Sequence, residues 1–176
     1  MNKIKVLHLT DTDVRLDSRI LKELSAIREN KKILIMAIGI SDDNLFYSKL
    51  KEVDKELKSL ILYSKLFKCF SLRLTAYLCL LEFYIRLIWI GLLFRPKIIH
   101  CHDTLVLPVG VILSILFNSK LIYDAHELES QKNGQSKVLS KITLFIEKIS
   151  WRFIDLFITV SPSIIDWYQK NLGKKE

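Results

Sequence analysis

Two short stretches each set a histidine against a carboxylate: His100-Cys101-His102-Asp103 and Asp124-Ala125-His126-Glu127. An imidazole titrates near neutral pH, and a carboxylate beside it holds the ring in one tautomer. Such a pair suits general-base removal of a proton from a hydroxyl. His102, Asp103, Asp124, His126 and Glu127 are the candidates. Two other uses fit the same residue types. Histidine and carboxylate also bind zinc, although this spacing matches no common structural zinc pattern. Asp103-Thr104 precedes an apolar run and suits a helix N-cap. A further polar stretch, Thr10-Asp11-Thr12-Asp13, adds Asp11. Asp17-Ser18-Arg19 opens a periodic segment, where free N–H groups attract an anion and Arg19 can add a phosphate clamp. Lys22 and Glu23, just beyond, read as solvated charges. No GxGxxG follows the first apolar run and no GxxxxGK[ST] occurs, which argues against a dinucleotide dehydrogenase and a P-loop NTPase.

These residues need elements to position them. Short, unbroken apolar runs at 4–9, 33–38, 60–63, 98–102, 121–124 and 156–160 read as strands buried on both faces. Between them, helical spacing covers 17–29, 105–117, 138–153 and 162–171, the last behind Ser161 with Pro162 in its first turn. Residues 41–58 read as a polar helix or loop, and 129–137 as a polar loop. Strand and helix alternate, so the expected fold is a doubly wound, Rossmann-like α/β domain around a parallel sheet of about six strands. Ligands in such sheets sit beyond the carboxyl ends of the strands. Asp11, His102, Asp103, His126, Glu127 and Ser161 all fall there.

The composition narrows the partners. The 176 residues carry a formal charge of +8, favouring phosphates or anionic lipid. No basic run alternates with stacking aromatics, so nucleic acid is not expected. Three cysteines, Cys69, Cys79 and Cys101, lack metal-like spacing and fit a reducing compartment. The N-terminus enters a strand-like run directly, without the pattern of a secretory signal.

Residues 66–94 are unusually apolar. From Leu74 to Phe94 the only charges are Glu82 and Arg86, four apart and able to pair on one helix face. The stretch matches the ~20 residues that cross a bilayer. Lys65, Lys68, Arg73, Arg95 and Lys97 flank it. Three arrangements fit: a helix on the sheet with an apolar outer face lying on a membrane surface, a core helix, or a true span.

Four stretches, in order, give the chain a family resemblance. They are Asp17-Ser18-Arg19-Ile20-Leu21-Lys22-Glu23-Leu24, Pro96-Lys97-Ile98-Ile99-His100-Cys101-His102-Asp103, Lys120-Leu121-Ile122-Tyr123-Asp124-Ala125-His126-Glu127-Leu128 and Asp155-Leu156-Phe157-Ile158-Thr159-Val160-Ser161. Together they resemble the N-terminal domain of family 4 glycosyltransferases of the two-Rossmann-domain, GT-B type. The resemblance covers essentially the whole chain. It implies that residues 1–176 form the acceptor-side domain, and that the donor-binding C-terminal domain lies outside this chain or on another.

It also implies transfer of a hexose from a nucleotide sugar to a membrane-linked or oligosaccharide acceptor, in cell-surface polysaccharide or glycolipid synthesis. The donor is a substrate; no further cofactor and no metal is implied. The expected setting is the cytoplasmic face of the membrane, with an anionic surface as a partner. A fragment of this kind is expected to be inactive alone. His126 falls where relatives place a histidine near the reacting sugar, with His102, Asp103, Asp124, Glu127, Asp11, Arg19 and Ser161 around the same cleft. The first loop, residues 10–16, departs from the family in having no glycine for close donor approach. Two other readings are a sugar-nucleotide epimerase half and a non-catalytic module that binds a membrane or a partner.

Overall fold

A computed structural model of the chain describes residues 3–41, 57–63, 72–132 and 134–175. Six strands form one sheet: β1 (Ile4–Leu9), β2 (Ile33–Ile40), β3 (Leu57–Leu60), β4 (Ile98–Cys101), β5 (Lys120–Ala125) and β6 (Leu156–Thr159). Their order is β3-β2-β1-β4-β5-β6. Every neighbouring pair is parallel. The direction of winding reverses between β1 and β4, which opens a crevice beyond their carboxyl ends. The expected doubly wound α/β fold is thus the observed one.

Five helices cover the sheet: α1 (Ser18–Arg28), α2 (Leu72–Phe94), α3 (Leu107–Phe117), α4 (Lys137–Ser150) and α5 (Pro162–Leu172). Strand residues alternate between two faces. On one face, Ile20 and Leu24 of α1 pack with Val14 against Ile35 and Ala37 of β2. The other face is larger. There Leu7, Leu9, Ile99, Cys101, Leu121 and Tyr123 meet Phe83 and Leu87 of α2, Leu113 of α3 and Tyr168 of α5. Gly110 lets α3 approach the sheet; a Cβ there would lie 2.4 Å from Cys101 Sγ. Burial raises the Cys101 thiol well above its ordinary value, so it stays an inert packing group.

Several boundaries move from the sequence reading. β2 does not stop before Gly39 but runs to Ile40, because Gly39 lets the strand pass the first loop: a Cβ would sit 2.0 Å from the Thr12 carbonyl oxygen. β3 is Leu57–Leu60 rather than residues 60–63. Among the described residues it is an edge strand paired with β2 alone, so Lys58 and Ser59 need no cover and the apolar run marks its end. α3 begins at Leu107 behind Val106, with no side-chain cap. Asp103-Thr104 therefore do not cap it; both side chains are engaged elsewhere. α4 ends at Ser150, and Trp151–Phe153 is a 3-10 turn. Glu129–Gln131 is also a 3-10 turn within the expected loop. The polar segment expected at 41–58 falls mostly outside the described residues, as do Cys69 and residues 64–71.

α2 is one helix on the sheet. Its inner edge carries buried Phe83, Leu87 and Phe94, and Tyr84 donates to the Leu105 carbonyl at 2.6 Å. Glu82 and Arg86 pair at 3.2 Å, as their spacing predicts. Yet only 22 % of its apolar stretch is buried, too little for a core helix. Tyr77, Leu81, Ile85, Trp89 and Leu93 face outward.

Candidate functional site

The loop after β1 is braced by Asp13. Its Oδ1 accepts from the Arg15 N–H at 3.0 Å, from Arg15 Nε at 2.9 Å and from Ser59 Oγ at 2.5 Å. Burial pushes this carboxyl up, but the Arg15 and Ser59 hydrogen bonds and the Arg15 charge outweigh it and hold the group at about 2. Asp17 caps α1, accepting from the Arg19 and Ile20 N–H groups at 3.0 and 3.3 Å. Arg19 Nη2 lies 3.5 Å from Asp17 Oδ2. The helix start thus already holds a carboxylate of its own, with the half-exposed Arg19 side chain beside it.

All four histidines of the chain gather on the α1 face of the sheet. His8 of β1 and His100 of β4 are register partners, and His102 lies two residues further along the same face. His126 follows β5. His8 Nδ1 and His102 Nε2 share a hydrogen bond of 3.0 Å. The His100 and His102 rings stack with centroids 4.1 Å apart. Asp124 Oδ2 lies 3.3 Å from His126 Nε2, 3.7 Å from His102 Nδ1 and 3.9 Å from His100 Nε2. From α1, Glu23 Oε2 approaches His100 Nδ1 to 3.5 Å, His8 Nδ1 to 3.8 Å and His102 Nε2 to 3.9 Å.

Burial sets the charge state. It lowers His8 to about 3 and His100 to about 2, helped by the neighbouring rings. His126 is lowered too, chiefly by burial. Glu23 is raised, first by burial. Burial thus favours the neutral form of His8, His100 and His126. Among the described residues, five ring nitrogens are buried without a hydrogen-bond partner: His8 Nε2, His100 Nε2, His102 Nδ1 and both nitrogens of His126.

A carboxylate group adjoins the cluster. Thr10 donates to Asp103 Oδ2 at 3.1 Å. Burial, then the neighbouring Asp11 carboxylate, raise Asp103 well above the ordinary carboxylate range. Buried Glu129 pairs with Lys132 at 2.8 Å. Glu127 is exposed and lines a shallow depression with His126, Gln131, Lys132 and Ile164.

The structure thus brings His102, Asp103, Asp124, His126 and Asp11 to one rim, with Arg19 and Glu127 at its margins. Ser161 is not joined to the histidines; its hydroxyl lies 2.6 Å from that of Ser163. His102 is almost wholly buried; 15 % of the His126 side chain is exposed, through its carbon atoms, while both its nitrogens are buried. Three members were not singled out by their spacing. His8 hides inside an apolar strand. His100 shares a face with His102, as alternation along a strand requires. Glu23 does not lie in solvent as a helix-surface charge; it turns toward the rings.

No protein-family model matches the sequence, and no curated protein does. Solved structures do. Sucrose-phosphate synthase from Thermosynechococcus elongatus superposes with a TM-score of 0.69 at 15 % identity, over 99 % of this chain and 46 % of that one. A UDP-N-acetylglucosamine 2-epimerase gives 0.63 at 12 %, over 99 % and 44 %. HepE of Anabaena, in complex with UDP and glucose, gives 0.57 at 16 %, over 97 % and 42 %. The chain spans under half the length of each of these three proteins. The fold of this chain is GT-B-like, that of one Rossmann-like half shared by glycosyltransferases and a sugar-nucleotide epimerase.

Proposed function

We propose that this chain is the acceptor-side domain of a glycosyltransferase. It would move a hexose from a nucleotide sugar to a membrane-linked or oligosaccharide acceptor in cell-surface polysaccharide or glycolipid synthesis. The observation that carries this reading is His126, neutral, at the edge of the buried cluster and backed by Asp124, one strand from the strand-order reversal. A neutral imidazole there can take the proton of an acceptor hydroxyl as the glycosidic bond forms, and Asp124 stabilises the resulting imidazolium. His102 and Asp124 position the ring, while Asp103, Asp11 and Glu127 offer oxygens to sugar hydroxyls. Arg19, beside Asp17 at the start of α1, and Ser161, after β6, would meet the substrate from further out.

Nucleotide contacts fall to a donor-binding domain or chain opposite the rim, so a single-domain preparation is expected to be inactive. In a protein carrying both halves, His126→Ala should lower kcat by about 100-fold in a product-formation assay. Unchanged turnover removes the residue from this role. The epimerase likeness supports a second reading. Epimerised nucleotide sugar appearing without any acceptor would select it over transfer.

The outer surface supports a membrane setting, at the cytoplasmic face. α2 packs on α3, and α3 on α4. All three leave apolar side chains outward, including Trp89 and Leu93 of α2, Ile115 and Leu116 of α3, and Ile142 and Phe145 of α4. Exposed Arg95, Lys97, Lys137, Lys141 and Lys148 border this face. An apolar strip edged with cations complements an anionic bilayer surface. The chain should float with vesicles of mixed phosphatidylglycerol and phosphatidylcholine, and Trp89→Glu with Phe145→Glu should release it. A chain that stays in solution sinks the membrane setting and leaves the transfer reading intact.

A further inference from the structure

We propose that His8, His100, His102 and Glu23 form a binding site for a zinc-type divalent cation that clasps α1 to the ends of β1 and β4. The site shares His102 and Asp124 with the proposed transfer machinery, but its ligand set does not include His126. Four ligand atoms converge: His8 Nδ1, His100 Nδ1, His102 Nε2 and Glu23 Oε2, all within 4.8 Å of one another. Four of their separations are 3.0, 3.5, 3.8 and 3.9 Å. A tetrahedral ion with bonds of about 2.0–2.1 Å sets its ligands about 3.3 Å apart, inside that spread. Small movements of buried rings and of one helical carboxylate suffice to close the sphere.

The tautomers agree with this assignment. Binding through His100 Nδ1 and His102 Nε2 leaves protons on His100 Nε2 and His102 Nδ1. Those are two of the buried nitrogens without a partner, and both face Asp124 Oδ2, at 3.9 and 3.7 Å. A carboxylate behind ligating imidazoles is the usual outer shell of a bound zinc. Glu23 and Asp124 together balance the two positive charges. Without an ion, His8 Nδ1 and His102 Nε2 share a single proton, while His8 Nε2 stays unpartnered with or without one. The side chain of Glu23 is 35 % exposed and gives the entry path. A second trio, His102, Asp124 and His126, is the competing location.

The test is titration of the chelator-treated chain with Co2+, read by visible absorption. We expect one equivalent to give the intense bands of a tetrahedral ion, without a sulfur charge-transfer band. Saturating Zn2+ should raise Tm. Glu23→Gln changes a half-open position and should keep the fold while weakening affinity about tenfold or more; His100→Ala should weaken it further. His126→Ala should bind as the native chain does. No uptake by the native chain overturns the proposal. So does uptake that Glu23→Gln and His100→Ala leave unchanged, or uptake that His126→Ala abolishes while Glu23→Gln does not.

Discussion

Two groups of buried polar side chains flank the same strands and are built in opposite ways. On the α3 face, Glu147 of α4 is fully buried. Its Oε1 accepts from Tyr123 at 3.0 Å, from Thr104 at 3.3 Å and from Tyr168. Helices α4 and α5, strand β5 and the loop after β4 are thereby tied to one oxygen, and the rings of Tyr123 and Tyr168 that donate to it pack on Phe157 and Trp151. On the α1 face, four histidines and two carboxylates lie close with a single ring-to-ring hydrogen bond of 3.0 Å. The first group is tied together through one shared acceptor, although Glu147 Oε2 is buried without a partner; in the second most ring nitrogens are unpartnered, which leaves them available to a ligand. The contrast separates a structural carboxylate from a candidate site without any appeal to relatives.

The comparison can be broken from either side. The largest stability effect should come from Glu147→Ala, which strands the Tyr168 hydroxyl, leaves Thr104 and Tyr123 with only each other at 2.7 Å, and opens a void. We expect a loss of about 3 kcal/mol in urea unfolding. A loss below about 1 kcal/mol would erase the distinction between the two groups. Tyr168→Phe removes one donor of three and should cost about 1.5 kcal/mol. His8→Gln, in metal-free buffer, removes a ring that has one unpartnered nitrogen and should cost under about 1 kcal/mol. If the histidine variant proved the more destabilising of that pair, the α1-face cluster would be the structural one.

The smallest effects concern pH. Burial raises Glu147 above its ordinary value of 4.5. Its folded form therefore holds a proton that the unfolded chain has lost. That contribution is full below about 4.5 and declines as pH rises through the raised value. Asp13 is the opposite case, lowered from 3.8 to about 2. Its contribution is full above about 4 and disappears as pH falls toward 2. Glu147→Gln should flatten stability on the neutral side, and Asp13→Asn should flatten it on the acid side. Denaturant midpoints measured from pH 2.5 to 8 check both, and either slope left unchanged removes that residue from the account.

Much of this molecule is legible in its residues. The alternation of apolar runs with helical periods leads directly to the parallel sheet, and Asp11, His102, Asp103, Asp124 and His126, at or just after their runs, come to lie at one rim. Asp17 reads as the α1 cap and behaves as one. What could not be read has a common cause, namely contacts that form only across the fold. β3 is misplaced because an edge strand tolerates Lys58 and Ser59, so its polarity hides it. Asp103 looks like a cap in sequence, but Thr10, 93 residues earlier, claims its carboxylate. His8 is one polar residue in an apolar strand until β4 sets His100 beside it. Glu23 lies at a surface-like helical position, and only the packing of α1 on the sheet turns it inward. Glu147 sits among α4 residues that read as ordinary amphipathic surface.

The pairing of β1 with β4 also governs when the site can exist during folding. His8 and His102 meet across 94 residues of chain. β1, α1 and β2 can associate through neighbouring segments, and α3 can settle on β4 and β5 in the same way. Neither half contains the cluster. Closing so long a loop costs chain entropy before any contact rewards it, so the joining of the halves belongs late in folding. A chain stalled earlier carries a buried-type histidine and a helical glutamate with nothing opposite them. The rim is therefore a marker of topological completion, and its chemistry is withheld until the two halves of the sheet have met.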